Sequence, residues 1–439
     1  MRRSVLRSLT KTDKTILGLA IPALGSLAID PLLTLADTAF VARLGTVELA
    51  ALGVDSAILT FGFFLFNFLA SVVTPLVARA IGQGRDGEAR RWVGDALLLA
   101  FGLGIIVTVL LEVLAPVLVD LMGATPEVAG PAVGYLRIRA LASVAVLVVT
   151  VGHGAFRGHK DTVTPLKVVG VVNGINLILD PLLIFGLDLG LAGAAVATVI
   201  AQFVGAIWFL RLIRARHMAD RPSRFAEALP SLFALGKNGA LITARTALLL
   251  AAFTVAASTA TRIGTEEIAA HQLVAQLFLL AALLADSFAI AAQAMVAEAA
   301  GEGDLSNVHA LTRRLMWWGL VAGLILTVFV AVGRLGLPLL ASEQAVGESA
   351  VAAGGVAAVM EPIAAMVFVA DGIFLGFLAL GTMVVSTGAG AAVAILLMSA
   401  TSFGDTLTGV WWAIAVMMVV RAVVFALGYR RSAEMAVRS

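Results

Sequence analysis

Two carboxylates lie inside the first long apolar run of the chain, residues 16–40. Asp30 and Asp37 are seven residues apart, which places them two turns apart on nearly the same face of a helix. An ionisable side chain at membrane depth costs about 2.5–3.5 kcal/mol on insertion scales, so it usually faces a bundle interior, a cavity or an ion path. Asp37 is therefore the first candidate to bind a proton or a cation. Pro22 removes a backbone hydrogen bond about four turns earlier, and we predict a hinge there.

Polar side chains also form a stripe on the fifth apolar run. Asn173, Asn176 and Asp180 recur at positions i, i+3 and i+7, which share one face of a helix. The sixth run adds Thr198 and Gln202 at i and i+4. We expect this stripe to face other helices, because an uncompensated polar face is costly in lipid.

The first, fifth and sixth helices would form an oxygen cluster if they met. Its members would be Asp37, Asn176, Asp180 and Thr198. Two carboxylates placed together in a low dielectric should not both stay ionised, which suits a proton carrier. The same oxygen donors would suit a hard cation such as Na⁺. The pattern leaves both ions open.

Other embedded polar residues are weaker candidates. Asn67 in the second run and Asp371 in the tenth are interpreted as cavity-lining residues of their respective halves. Four arginines embedded in apolar runs are expected to extend towards the membrane surface or to pair with carboxylates. They are Arg137, Arg139, Arg245 and Arg421.

The elements that position these residues are membrane helices. The chain is 60% hydrophobic and only 13% charged, a composition outside the range of soluble globular domains. Apolar runs of membrane length predict an all-α polytopic protein with twelve transmembrane helices. The runs are 16–39, 52–78, 92–119, 132–156, 164–186, 190–212, 238–261, 268–297, 315–340, 350–376, 383–402 and 407–428.

Charge predicts the orientation. Most of the 30 Lys and Arg residues lie in the segments that would share one side with the two termini. The other side has Arg43, Arg262 and Arg334. By the positive-inside rule, both termini face the cytoplasm of a multi-pass protein in the inner or plasma membrane. The net charge of +2 thus reflects topology, and we infer no nucleic-acid partner from it.

The sequence lacks the motifs that several classes of chemistry require. The chain has no cysteine, so disulfides and thiolate metal sites are excluded. It has no GxxxxGK[ST] phosphate loop and no HExxH metal motif. We expect no cofactor, and transport would use an ion gradient or run downhill.

The chain contains an internal repeat. Shifting the sequence by 219 residues places RLGTVELAAL, residues 43–52, on RIGTEEIAAH, residues 262–271. We predict an N-terminal six-helix bundle at 1–213, a cytoplasmic linker at 214–237 and a C-terminal six-helix bundle at 238–439. Six helices per half make the repeat parallel, with a substrate site expected between the halves. The acid of the first helix is not repeated, because Asp37 falls on Ala256.

Several motifs resemble one transporter family. They are LADTAFVARLGTVELAALG, PLVARAIGQG, AFRGHKDTVTPL, NLILDPLLIFGLDLGLAGAAVAT and FVADGIFLG. They resemble the multidrug and toxic compound extrusion (MATE) transporters, and most of all their DinF-type branch, over essentially the whole chain. The resemblance implies two pseudo-symmetric six-helix bundles around a V-shaped central cavity.

The resemblance also implies roles for residues. Asp37 matches the acid that takes the coupling ion, and Pro22 matches the residue where the first helix bends when that acid is protonated. The other residues that match this site are Asn176, Asp180 and Thr198. The acidic seventh-helix residue of the NorM-type branch has no evident match in this chain. Asp30 is not part of the family pattern, so either first-helix carboxylate remains a candidate to titrate.

We therefore hypothesise a monomeric secondary antiporter. It would export drug-like or amphipathic, often cationic, compounds in exchange for H⁺ or Na⁺. The alternative is a flippase for a lipid-linked carrier, which would be expected to have further helices and a strongly basic cavity. A membrane-embedded enzyme using Asp37 and Asp180 as an acid–base pair would give no reason for a duplicated architecture.

Overall fold

The computed structural model describes residues 9–220, 225–341 and 343–438, so residues 221–224 of the predicted linker lie outside the described part. The described residues are almost entirely helical, as the apolar runs predict. Their fourteen α-helices are α1 Lys11–Val41, α2 Thr46–Phe64, α3 Phe68–Gly82, α4 Asp86–Leu121, α5 Pro126–Ala140, α6 Ser143–Gly158, α7 Val163–Pro181, α8 Gly190–Ala215, α9 Phe225–Ile263, α10 Thr265–Gly301, α11 Leu305–Gly333, α12 Gln344–Gly376, α13 Leu380–Ala400 and α14 Leu407–Arg438.

Each of the twelve predicted apolar runs is helical in the described residues. Ten described helices are long and apolar enough to cross a membrane, and the pair α5 and α6, bent by 50°, gives an eleventh span. The run at 52–78 differs, because a 3₁₀ turn at Leu65–Asn67 divides it into α2 and the shorter α3. The polytopic all-α architecture is thus confirmed, and two of its spans are broken.

The lipid-facing surface is clearest on α4. Five apolar side chains follow one another at intervals of four residues, and each is more than half exposed. A row at this spacing lies along one face of a helix. Such a stripe would be unfavourable in water and is expected where the surroundings are hydrocarbon. The five residues are Ile105, Val109, Val113, Val117 and Leu121.

The described chain groups into two compact units. The N-terminal unit is Gly25–Gly239, and the C-terminal unit is Ala240–Ser439 together with the start of α1, up to Leu24. The start of α1 is anchored in the C-terminal unit by the buried carboxylate of Asp13. Arg314 Nη2 donates a hydrogen bond of 2.6 Å to it, and Trp318 Nε1 donates one of 2.8 Å.

Glycines make the same close contact in both units. A Cβ on Gly154 of α6 would lie 3.1 Å from Ala70 Cα of α3, and one on Gly372 of α12 would lie 2.7 Å from Ala289 Cα of α10. The 219-residue shift maps Ala70 onto Ala289. The same shift relates the contacts of the next glycines, Gly158 with Val77 and Gly376 with Val296. The sequence repeat is therefore also a packing repeat.

Gly372→Ala is expected to lower the unfolding free energy by about 1–3 kcal/mol, because the new methyl group overpacks the backbone of Ala289. Gly170→Ala is the matched control, since a Cβ at this helical position of α7 meets nothing within 4 Å. The measurement is the thermal unfolding midpoint in detergent. Equal midpoints for the two variants would contradict the close contact between α12 and α10.

Candidate functional site

Two polar contacts join the second half of α1 to α7. Asn173 Nδ2 donates a hydrogen bond of 3.0 Å to Asp30 Oδ1. The carboxyl groups of Asp37 and Asp180 lie within hydrogen-bonding distance of each other. Both pairs are separated by 143 positions in the chain, so α1 and α7 keep one register over two turns. The two helices are linked here through side chains. Over the described residues, their backbones are not packed closely along their length.

Asn176 connects α7 to α8. Its Nδ2 donates to Asp180 Oδ1 at 3.3 Å and to Thr198 Oγ1 at 3.4 Å, while Thr198 itself donates to the carbonyl oxygen of Ala194 at 3.0 Å. Asn176 and Asp180 are almost fully buried. The structure thus brings together Asp37, Asn176, Asp180 and Thr198, the four residues that the sequence groups.

The carboxyl pair has unused hydrogen-bonding capacity. Asp37 Oδ1 and Asp180 Oδ2 are buried and accept no hydrogen bond from the described residues. Two ionised carboxylates in direct contact repel each other strongly, whereas one proton shared between them supplies the missing donor. The geometry therefore suits a single proton held between α1 and α7.

A local break in α7 follows this site. Pro181 comes directly after Asp180, and the helix then widens into a π-type turn at Leu182–Gly186. Leu187 N donates to the carbonyl oxygen of Leu182, which satisfies the wider turn. Turns of this kind are frequent at functional sites, since they change the direction in which neighbouring side chains point.

Asp55 on α2 is a further carboxylate that the sequence reasoning missed. It is fully buried, and neither of its oxygens accepts a hydrogen bond from the described residues. Arg139 on α5 interacts electrostatically with Asp37, Asp55 and Asp180. Two signals in the sequence could have identified Asp55. It is a carboxylate inside an apolar run, and the repeat does not conserve it, because the 219-residue shift places Asp55 on Val274.

The break between α5 and α6 positions Arg139 in the last turn of α5. The bend frees the carbonyl oxygen of Ala140 from its place in the helix. Ser143 Oγ donates to this oxygen at 2.7 Å, and Thr108 Oγ1 of α4 donates at 3.0 Å. These bonds satisfy a backbone group that would otherwise be costly at membrane depth.

Three secondary candidates lie apart from this cluster. Asn67 is exposed in the turn between α2 and α3, and no hydrogen bond links the Gln202 side chain to another described residue. Asp371 belongs to the C-terminal unit, where Arg421 Nη2 donates to it at 2.7 and 2.9 Å and Arg245 also pairs with it. Asp371 is therefore paired with two arginines, and its role as a cavity-lining residue stays a prediction. Pro22 lies within the continuous helix α1, close to the point where the two units divide, and its hinge role stays a prediction.

The arginine predictions have mixed outcomes. Arg421 and Arg245 pair with a carboxylate, and so does Arg137, whose Nε lies 3.8 Å from Glu112 Oε2. Arg139 forms no such close ion pair among the described residues. Its Nε and Nη1 are buried without a hydrogen-bond acceptor there.

Comparison with known proteins identifies the family. The model of the MatE family matches two stretches of the chain, residues 22–182 and 242–401. The stretches begin about 220 residues apart, in agreement with the repeat. The chain belongs to the MatE family. It is therefore a multi-pass membrane transporter of the multidrug and toxic compound extrusion (MATE) class, with small-molecule substrates and a lipid environment, and not an enzyme.

Relatives agree with the DinF-type resemblance. Protein DETOXIFICATION 44, chloroplastic, of Arabidopsis thaliana is 33% identical over 94% of this chain and 81% of that protein. DNA damage-inducible protein F of Escherichia coli is 28% identical over 96% of this chain and 93% of that protein. A probable multidrug resistance protein NorM of Thermotoga maritima is 31% identical over 44% of this chain and 42% of that protein.

Solved structures support the MATE fold. The bent form of the Vibrio cholerae MATE transporter VcmN matches with a TM-score of 0.89 and 20% identity, over 96% of this chain and 97% of that chain. A MOP superfamily transporter from Pyrococcus furiosus, for which a reversed polarity of the binding pocket has been described, matches with a TM-score of 0.84 and 21% identity over 97% of each chain. At these identities the likeness concerns the fold alone.

Proposed function

We propose that this MATE transporter is a proton-driven antiporter. It exports amphipathic, often cationic, compounds from the cytoplasm across the plasma membrane, acts as a monomer and has both termini in the cytoplasm. The observation that supports proton coupling is the contact between Asp37 and Asp180, each with a buried oxygen that no described donor satisfies. A proton is the smallest ligand that satisfies both.

The donors around this pair favour a proton over Na⁺. Na⁺ would need several free oxygen lone pairs. Asn176 donates through its amide nitrogen to Asp180 and Thr198. To ligate Na⁺, the Asn176 amide would have to turn and present its carbonyl oxygen, which breaks both hydrogen bonds, whereas a proton leaves them in place.

Proton binding would control the position of α1. With a shared proton, Asp37 bonds to Asp180, α1 bends at Pro22, and its second half is attached to α7. When the proton leaves, the two carboxylates repel, and α1 straightens and separates from α7. A substrate that requires the space between α1 and α7, or the negative charge of the deprotonated carboxyl pair, then binds. The proton and the substrate therefore cannot be bound at the same time.

The driving force is sufficient for efflux. One elementary charge crossing about 150 mV gains roughly 3.5 kcal/mol. Since each factor of ten in concentration corresponds to about 1.4 kcal/mol, this supports a ratio of roughly a few hundred.

A reconstitution experiment tests the proposal. The purified protein in liposomes is given a cationic dye and an imposed pH step without Na⁺, and then a Na⁺ gradient without a pH step. We expect the pH step alone to move the dye. Movement only with Na⁺ would contradict proton coupling. If neither gradient moves the dye although the protein is demonstrably folded, the antiport function is contradicted.

A further inference from the structure

Two charged residues beside the carboxyl pair have no role in the mechanism above. Asp55 is fully buried, and both of its carboxylate oxygens lack a described hydrogen-bond donor. Arg139 has a buried Nε and a buried Nη1 without a described acceptor. Unsatisfied buried charge is costly, so its persistence at membrane depth needs an explanation in terms of function.

Packing shows that these two residues face the same interface. On α2, Asp55 lies three residues after Leu52 and four before Leu59. On α5, Arg139 lies four residues after Tyr135. Leu52, Leu59 and Tyr135 are buried in one apolar cluster between the packed helices α2 and α5. Residues three or four positions apart lie on the same face of a helix. Asp55 therefore shares a face with Leu52 and Leu59, Arg139 shares one with Tyr135, and both charged residues point towards this cluster.

The coupling pair borders the same cluster. Asp37 lies one turn before Val41, and Asp180 lies one turn before Ile184. Val41 and Ile184 belong to the same set of packed apolar residues. Three carboxylates from three helices and one guanidinium thus lie beside a single apolar cluster.

We infer that Arg139 makes the coupling site selective for protons by excluding Na⁺. The inference rests on the proposed role of Asp37 and Asp180 as the coupling site. The guanidinium of Arg139 interacts electrostatically with both carboxylates of the pair and repels a second cation that approaches them. A proton is held by a covalent O–H bond, so its affinity for a carboxylate survives a repulsion that removes weak Na⁺ binding. Arg139 thus acts as a tethered positive charge beside the site.

Na⁺ binding to the purified protein tests the inference. Thermal unfolding in detergent is compared in NaCl and in choline chloride at equal ionic strength, because a ligand that binds the folded state raises the unfolding midpoint. We expect no Na⁺-specific shift for the wild type. Arg139→Gln is expected to gain Na⁺-dependent stabilisation, with at least about a tenfold increase in Na⁺ affinity from the loss of a nearby charge.

Two controls separate the charge of Arg139 from other effects. Arg139→Lys keeps the tethered charge, so we expect it to restore the exclusion of Na⁺. Arg137→Gln removes a charge two residues away on the same helix, where Arg137 pairs with Glu112 and is half exposed. We expect that variant to show no Na⁺-specific shift either.

A second variant covers the risk that Arg139→Gln does not fold with Asp55 left uncompensated. Arg139→Gln/Asp55→Asn removes both charges and is expected to show a smaller gain in Na⁺ response, because loss of the Asp55 carboxylate opposes loss of the Arg139 guanidinium. A Na⁺-specific shift in the wild type would overturn the inference. So would the absence of a shift in every folded variant that lacks the Arg139 charge. This readout is independent of transport, so failure of proton-driven dye movement by the wild type would affect the proposed function and leave the Arg139 test standing.

Discussion

Asp37→Asn is expected to abolish proton-driven export while the protein stays folded. The asparagine amide donates permanently to the Asp180 carboxylate and imitates the protonated pair, so α1 stays attached to α7. With coupling lost, the dye concentration ratio across the membrane should fall from as much as roughly a few hundred to about one. The measurement is dye accumulation in liposomes under a pH step, together with the unfolding midpoint of the variant.

Asp30→Asn is the matched control for Asp37→Asn. Asp30 lies seven residues earlier on the same helix and accepts a hydrogen bond from Asn173, but it is exposed and contacts no second carboxyl group within the described part of the chain. We expect this variant to keep most of its proton-driven export. Normal export by Asp37→Asn combined with loss in Asp30→Asn would move the titrating group to Asp30.

Asp371→Asn is expected to destabilise the protein by about 3–5 kcal/mol, the usual effect of removing one partner from a buried ion pair. Arg421 is fully buried, and Asp371 is the carboxylate that pairs with both Arg421 and Arg245. The Nε atoms of both arginines already lack a described acceptor. The measurement is the unfolding midpoint in detergent.

Asp405→Asn provides the comparison for Asp371→Asn. Asp405 is exposed in the loop between α13 and α14 of the same unit, so its loss should change stability by less than about 0.5 kcal/mol. If Asp371→Asn were as stable as the wild type and instead lost export, Asp371 would be a transport residue, as its position in the tenth apolar run first indicated.

The apolar runs and polar stripes could be predicted from the sequence because each follows from one helix at a time. A run of about 20 apolar residues in a membrane must form a helix to satisfy its backbone hydrogen bonds, and positions i, i+3 and i+7 of a helix share a face. Asn173, Asn176 and Asp180 therefore pointed to one surface of α7. The register of that surface with Asp30 and Asp37 followed once the two helices met.

The partners of isolated charges were not predictable in this way. Asp55 is an isolated carboxylate on α2, and no spacing on that helix indicates its electrostatic interaction with Arg139 on α5. The break in the second span at Leu65–Asn67 was missed for a related reason, since its sequence LFN contains neither proline nor glycine. Such features depend on tertiary packing, which a single-helix pattern does not record.

Direct measurement of proton movement tests the central claim of an exchange through Asp37 and Asp180. Liposomes containing the protein and a pH-sensitive fluorophore receive a cationic dye without Na⁺ and without any imposed pH step. We predict that dye entry drives protons out in a constant ratio, and that Asp37→Asn and Asp180→Asn move neither. Dye transport by the wild type with no accompanying proton flux would contradict the account.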